Sequence, residues 1–191
     1  MPRIPLIHRL FLIVGIVGGV FIATLLSLRL TGLLRPFKVP TSGMMPTLQE
    51  GDQFFMEGLT YKFRKPERHD ILVFAVPNSS RTEETEAGPA PIYVQRVAGL
   101  PGDRLKLRSG ELYINDEKDS LYEGRRFQVA AGMKYLEGFN PEIVVPADSY
   151  FVIGDNLSHS YDSRYWGFLP AKNIQGRVLL RYAPWRRFGF P

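Results

Sequence analysis

The sequence predicts an all-β domain, mainly antiparallel and barrel- or sandwich-like, behind one N-terminal transmembrane helix. Three observations point there. Residues 10–28 read LFLIVGIVGGVFIATLLSL, without a single charge. Beyond Arg35 short apolar stretches recur, separated by Gly, Pro, Asn and Asp, as in a domain of many short strands. No internal repeat and no amphipathic helix longer than a few turns interrupts that pattern.

Taken in chain order, residues 1–9 form a short tail carrying Arg3, His8 and Arg9. The 19 uncharged residues that follow reach roughly 28 Å as a helix, close to the hydrocarbon thickness of a bilayer. A cleaved signal peptide also begins with positive charge. This run is long for one, no small-x-small site follows it, and Arg29, Arg35 and Lys38 come at once. A retained anchor over residues 10–30 is therefore expected. Positive charge on both flanks leaves its orientation open. Residues 36–191 are expected to form the β domain, with strands near 53–56, 71–76, 92–98, 104–107, 112–114, 150–153 and 177–182. Residues 78–91, polar and acidic, suit an exposed hairpin loop or insertion. Residues 104–148, irregular from 121 onward, suggest a small subdomain.

Composition excludes several classes. A chain 45% hydrophobic and 13% aromatic is neither disordered nor fibrous. The absence of cysteine removes disulfide scaffolds, thiolate metal sites and a cysteine nucleophile, while leaving the compartment open. The net charge of +5 suits an anionic membrane surface. The basic residues are scattered and accompany no binding motif, so no nucleic-acid partner is expected. His8 and His69 lie far from His159 in sequence and lack carboxylate company, so no metal and no cofactor is expected either.

Three stretches are unlike ordinary punctuation. Val39-Pro40-Thr41-Ser42-Gly43-Met44-Met45-Pro46-Thr47-Leu48 places an apolar Met pair among turn formers, which suits either a pocket wall or a loop dipping into lipid. Tyr93-Val94-Gln95-Arg96-Val97-Ala98-Gly99-Leu100-Pro101-Gly102-Asp103 is a strand running into a tight turn. Residues 154–167, GDNLSHSYDSRYWG, concentrate hydroxyls, carboxylates and amides that are costly to bury unless each is bonded. Within them Asp162 and Arg164, two apart, face the same way if extended and are placed to pair.

Together, in this order and after a membrane anchor, the three stretches resemble bacterial signal peptidase I, the membrane serine protease that removes signal peptides. The resemblance covers roughly residues 10–188 and rests on MMPTL, RVAGLPGD and GDN followed by SYDSRYWGF. Residues 69–74, HDILVF, also fit, with His69 where that family usually has glycine. The resemblance implies an all-β protease domain that cuts after small-x-small sequences with a serine nucleophile and a lysine base.

Two positions depart from the family pattern. The nucleophile position, directly before Met-x-Pro-Thr, is Gly43, and the general-base position is Gln95. A carboxamide orients a group by hydrogen bonding but has no basic nitrogen with which to deprotonate it. Ser42 is adjacent to Gly43, yet in an extended segment neighbouring side chains point to opposite faces. His159 sits at a polar turn position, not at that of the base. The supporting residues match: Thr41 as oxyanion donor, Ser160 as the hydroxyl that orients the base, and Asp162 with Arg164 as a bracing ion pair. Val39, Met44, Leu48, Tyr93 and Val94 match positions lining the pockets for small side chains.

The expected function is a non-catalytic homologue that binds signal-peptide-like or preprotein segments. It would sit by a single pass in the bacterial cytoplasmic membrane, with the β domain outside, in contact with lipid and with an active paralogue as a candidate partner. The alternative is an active signal peptidase using Ser42 or another dyad.

Overall fold

The computed structural model describes residues 5–77, 90–127, 132–136 and 142–191. Residues 78–89 of the expected hairpin loop, and part of the expected irregular subdomain, lie outside these. The chain begins with helix α1 (Leu6–Leu30), apolar around its whole circumference. Its 25 residues reach roughly 37 Å. The portion Ile7–Leu30 is long and apolar enough to cross a membrane, and none of it is buried in the protein. Thr24 Oγ1 donates to the Val20 carbonyl, so this hydroxyl is satisfied within the helix.

Eleven antiparallel strands follow among the described residues: β1 (Leu34–Lys38), β2 (Gln53–Glu57), β3 (Ile71–Ala75), β4 (Ile92–Gly99), β5 (Arg104–Arg108), β6 (Glu111–Ile114), β7 (Glu117–Lys118), β8 (Glu142–Val144), β9 (Ser149–Ile153), β10 (Leu169–Pro170) and β11 (Ile174–Ala183). Seven pair in the order β1-β2-β11-β3-β4-β9-β10 and four in the order β7-β6-β5-β8. A one-turn helix α2 (Ser163–Trp166) follows β9. The protein is thus mostly β, a curled antiparallel sheet with a smaller one beside it and one N-terminal apolar helix.

Side-chain alternation explains how the large sheet is covered on both faces. In β3, Ile71 and Val73 join a core with Val39, Met44, Leu48, Phe54 and Met56. Leu72 and Phe74, between them in sequence, join a second core with Val97, Val152 and Trp166. A strand buried on both faces must read as a continuous apolar run, and this one reads ILVFA. Leu105, Leu112 and Ile114 of the small sheet pack with Phe151 and Ile153 of the large one, which holds the two together.

Four strands were not expected: β1, β8 and the two-residue β7 and β10. Strand β1 contains Pro36 between Arg35 and Phe37, which breaks the apolar alternation. Its place at the sheet edge is where a missing N–H is tolerated. Strand β8 lies in the stretch that reads as irregular and pairs with β5 through Arg104, Leu105 and Lys106.

One feature of the ladder positions the site. Strand β3 pairs with β4 along Ile92–Arg96, whereas β9 pairs with it only from Arg96 to Gly99. The opposite edge of residues 92–95 therefore has no strand partner among the described residues.

Candidate functional site

A cavity of about 190 Å³ opens along that free edge. Its wall includes Val39, Thr41, Gly43, Met44, Tyr93, Val94, Gln95 and Ser160, eight of the residues singled out in the sequence. Leu48 is not on the wall. It lies fully buried behind it, packed with Val39 and Met44. Asp162 and Arg164 are also off the wall, buried under the loop that carries Ser160.

The first wall is a turn, as its turn-forming residues suit, and not the extended segment in which Ser42 and Gly43 would face opposite ways. Met45 N–H donates to the Ser42 carbonyl at 3.0 Å and Leu48 N–H to the Met44 carbonyl at 2.9 Å. Two prolines and the run Thr-Ser-Gly favour such closed geometry over a strand. Met44 and Leu48 then fall one turn apart and are buried together, while Met45 stays exposed. Strand alternation therefore says nothing about Ser42, which is absent from the cavity wall. Its carbonyl accepts from Asn156 Nδ2 at 3.1 Å as well as from Met45.

Gly43 has an ordinary backbone conformation outside the left-handed region. A Cβ built there would lie 3.5 Å from the His159 carbonyl oxygen and 3.8 Å from Ser160 Cβ, in normal contact. Gly154 is the opposite case. A Cβ at Gly154 would collide with Ser160 Oγ and with the Gly43 carbonyl oxygen. Only glycine lets the third stretch press this closely on the first.

Gln95 projects from β4 and is 4% exposed. Its Nε2 donates to the Tyr161 carbonyl at 2.9 Å and approaches Ser160 Oγ at 3.5 Å, while Oε1 has no partner. Beside it, burial first and then the neighbouring Tyr161 push the Tyr93 phenol above its usual pKa, so the ring stays neutral. His159 is exposed on the rim and its Nδ1 lies 3.0 Å from Ser158 Oγ.

The Asp162 carboxylate, which the sequence placed near His159, is otherwise engaged. It binds Arg164 through Nε at 2.7 Å and Nη2 at 2.8 Å, and accepts from the Gly154 N–H at 3.0 Å. The pair is not extended as expected. Asp162 caps helix α2 and accepts from the Arg164 N–H.

Sequence reasoning missed the residues that tie the three stretches together. Asp155 from the third accepts from Arg96 of the second through Nε at 2.8 Å and Nη2 at 2.6 Å. It also accepts from Thr47 Oγ1 of the first at 2.5 Å. Burial alone would lower the Arg96 pKa, but the Asp155 carboxylate more than offsets this and raises it, so the guanidinium stays charged. Asn156 N–H closes the same junction on the Gly43 carbonyl at 3.0 Å. The only sequence signal for this tie is that acidic and basic residues stand inside otherwise apolar or turn-forming motifs.

Among the described residues no three His, Asp or Glu side chains converge in a way that could hold a metal ion.

Comparison with known proteins places this architecture. Residues 7–185 match the family model described as signal peptidase, peptidase S26. The chain is 36% identical over 152 residues to a probable signal peptidase I-2 from Synechocystis sp. (strain ATCC 27184 / PCC 6803 / Kazusa), an alignment spanning 79% of this chain and 64% of that relative. It is 36% identical over 151 residues to a signal peptidase I from Leptolyngbya laminosa, spanning 79% and 70%. The crystal structure of a signal peptidase I from Enterococcus faecalis V583 is similar over 60% of this chain and 97% of that one, with 28% identity and a TM-score of 0.43. The family match takes in helix α1, all three wall-forming stretches and the strands that carry them, and the chain therefore belongs to the signal peptidase family, peptidase S26.

Proposed function

We propose that this signal peptidase I-like chain is a non-catalytic member of its family that holds signal-peptide-like or preprotein segments without cutting them. The observation that carries this reading is the pair at the base of the cavity, where Gly43 and buried Gln95 stand at the positions that the family resemblance gives to nucleophile and base. Glycine has no side-chain nucleophile, and a carboxamide cannot take a proton from a hydroxyl. Losing both partners of such a unit lowers turnover by on the order of 10⁶-fold in serine proteases.

What supports retained binding is the wall itself. The free edge of residues 92–95 offers backbone groups to an extended peptide. Val39, Met44 and Val94 give it an apolar lining for small side chains, with Leu48 behind them and Tyr93 alongside. In this reading Thr41 and the Gly43 N–H are donors to a bound carbonyl, Ser160 orients Gln95, and Asp162 with Arg164 braces the loop. Residues 10–30 anchor the chain in the bacterial cytoplasmic membrane by a single pass. The β domain of residues 36–191 lies on the outer side in contact with lipid, and an active paralogue is a candidate partner.

The alternative is cleavage through Ser42. Against it stands the place of Ser42 outside the cavity wall. His159, the exposed histidine on the rim, has no help from Asp162, whose carboxylate is held by Arg164. Incubating the purified chain with a preprotein bearing a small-x-small site decides between them. No cleavage is expected. Turnover that disappears in Ser42→Ala would overturn the reading.

A further inference from the structure

A second cavity, of about 390 Å³, lies where helix α1 meets the large sheet, and its wall includes Thr31, Gly32, Arg35, Lys62 and Gln175. The membrane-length stretch of α1 ends at Leu30, one residue before this wall begins. A helix that spans the hydrocarbon up to Leu30 sets the cavity at the depth of the lipid headgroups. The segments that form it also carry exposed apolar side chains. Leu30 is 86% exposed and Phe63, next to Lys62, 83% exposed. Leu59, also exposed, starts the turn that bears Lys62. Such groups beside a polar cavity suit the boundary between acyl chains and headgroups.

Charge specifies the ligand further. Arg35 and Lys62 share the wall, and among the described residues neither has an ion-pair or hydrogen-bond partner. No carboxylate lines the cavity. Those close by in the chain are occupied. Glu57 accepts from Arg177 Nε at 2.6 Å and from the N–H groups of Leu59 and Thr60 at 3.0 Å. Asp70 accepts from Arg64 Nη1 and from the hydroxyl of Tyr61, another wall residue, each at 2.9 Å. The Arg35 guanidinium folds back on Gly32, with Nη2 only 2.5 Å from where a Cβ would stand. Gly32 is left-handed, with φ 71°. The helix end does not consume this charge, because the carbonyls of Ser27, Leu28 and Arg29 already accept from the N–H groups of Thr31, Leu33 and Gly32. Two cations on one concave wall repel each other unless an anion lies between them.

We propose that this cavity binds the headgroup of an anionic glycerophospholipid, with the phosphodiester between Arg35 and Lys62 and the glycerol hydroxyls toward Thr31 and Gln175. The site is independent of the peptide cavity and rests only on α1 as the membrane anchor of the proposed function. A phosphate ester is the chemistry recognised, and the exposed apolar neighbours commit it to a lipid and not to a soluble ester. A choline or ethanolamine headgroup would bring a further cation to a wall with no carboxylate to receive it.

The full chain in dodecyl maltoside micelles is titrated with dioctanoyl phosphatidylglycerol, dioctanoyl phosphatidylcholine or glycerophosphate, and bound ligand is counted by native mass spectrometry. Phosphatidylglycerol is expected to bind about tenfold more tightly than phosphatidylcholine, with glycerophosphate weakest. Arg35→Gln and Lys62→Gln should each weaken phosphatidylglycerol about fivefold, the worth of one cation at an anionic surface. Arg108→Gln, which removes the same charge from the small sheet, should not. Melting curves show whether the variants have folded, and the ligand series on the unaltered chain decides the matter if they have not. Equal binding of the two lipids, glycerophosphate binding as tightly as phosphatidylglycerol, or folded Arg35→Gln and Lys62→Gln variants that bind like the parent overturns the inference. Washing membranes with alkaline carbonate separates this from the anchor reading. Release of the chain overturns the anchor and this site with it, whereas a retained chain without lipid preference loses only the site.

Discussion

Arg164 reaches back along the chain and closes two N–H groups on the Asp162 carboxylate, at 2.7 and 2.8 Å, with no more than 1% of either side chain exposed. The guanidinium also donates to the Ser160 carbonyl at 3.3 Å and stacks over Phe127 and Tyr165. The loop carrying Ser160 is therefore held from beneath by a buried charge pair. Removing one partner strands the other, a loss of about 3–5 kcal/mol. Arg164→Ala is expected to lower the melting temperature sharply in a circular dichroism scan. The double change with Asp162→Ala should be only slightly worse, through the Gly154 N–H it leaves without an acceptor. A melting curve like the parent's for Arg164→Ala would contradict the burial of the pair.

The geometry at Gly43 leaves room for a side chain. Because an added Cβ stays in ordinary contact with His159 and Ser160, and the backbone is not left-handed, serine fits there without strain. Gly43→Ser with Gln95→Lys is expected to cleave after small-x-small sequences, with a rate that rises toward alkaline pH as the new lysine loses its proton. Gly43→Ser alone should do far less, and Gln95→Lys alone nothing. A double variant with a normal melting curve and no product on a gel would show that the groove no longer presents a peptide to these two positions.

Gly154→Ala is expected to be among the most damaging small substitutions in the domain. The methyl group meets a backbone oxygen of Gly43, which no rotamer change can move aside. Overpacking typically costs about 1–3 kcal/mol, and this position belongs at or above the upper end. The urea midpoint should fall with an unchanged slope. The peptide affinity measured by anisotropy should fall with it, since the same collision displaces Ser160 from the wall.

His69 adopts a left-handed backbone conformation with φ 70°, and its Nε2 lies 3.0 Å from Asp119 Oδ2. Burial works to raise the Asp119 pKa. The His69 contact and the N–H groups of Leu121 and Tyr122 more than offset it, and the net shift is below the ordinary 3.8. A lowered carboxylate adds stability above its unfolded value and loses it as pH falls through the folded one. His69→Gly relieves the backbone, worth about 1–2 kcal/mol, but removes the partner. The variant should therefore melt below the parent at pH 5–7, and the gap should close or reverse near pH 2. A pH-independent gap would show that the pair contributes nothing through Asp119.

Much of this fold is legible in the sequence where a local pattern carries it. The seven expected strands are short apolar runs between turn formers, and each is found. Strand β1 was hidden because an edge strand can accept Pro36 and charged neighbours that a central one cannot. Residues 41–47 read as turn formers around an apolar Met pair, and they do form turns, whose hydrogen bonds close over three and four residues and leave no alternation to detect. The site was legible in its wall and not in its ties. Asp155 meets Arg96 across 59 residues and Thr47 across 108, and contacts at that separation have no periodic signature. Position 69 has a positive φ, which favours the glycine that the family resemblance implies there, a backbone demand that a side-chain reading cannot see.

Strand β4 imposes a constraint on how the length of this chain can vary. Gln95 turns to the cavity while Arg96, the next residue, turns to Asp155 on the other side. The site thus depends on parity. One residue inserted or deleted between Ile92 and Gln95 would exchange the two faces, driving a guanidinium toward the apolar wall and leaving Asp155 opposite a carboxamide. Two residues would restore the faces but slide every partner along β3 by a full pleat. Length changes that preserve this protein's function must therefore fall outside the ladder, and comparison of related chains should find residues 92–99 free of gaps however far their sequences diverge.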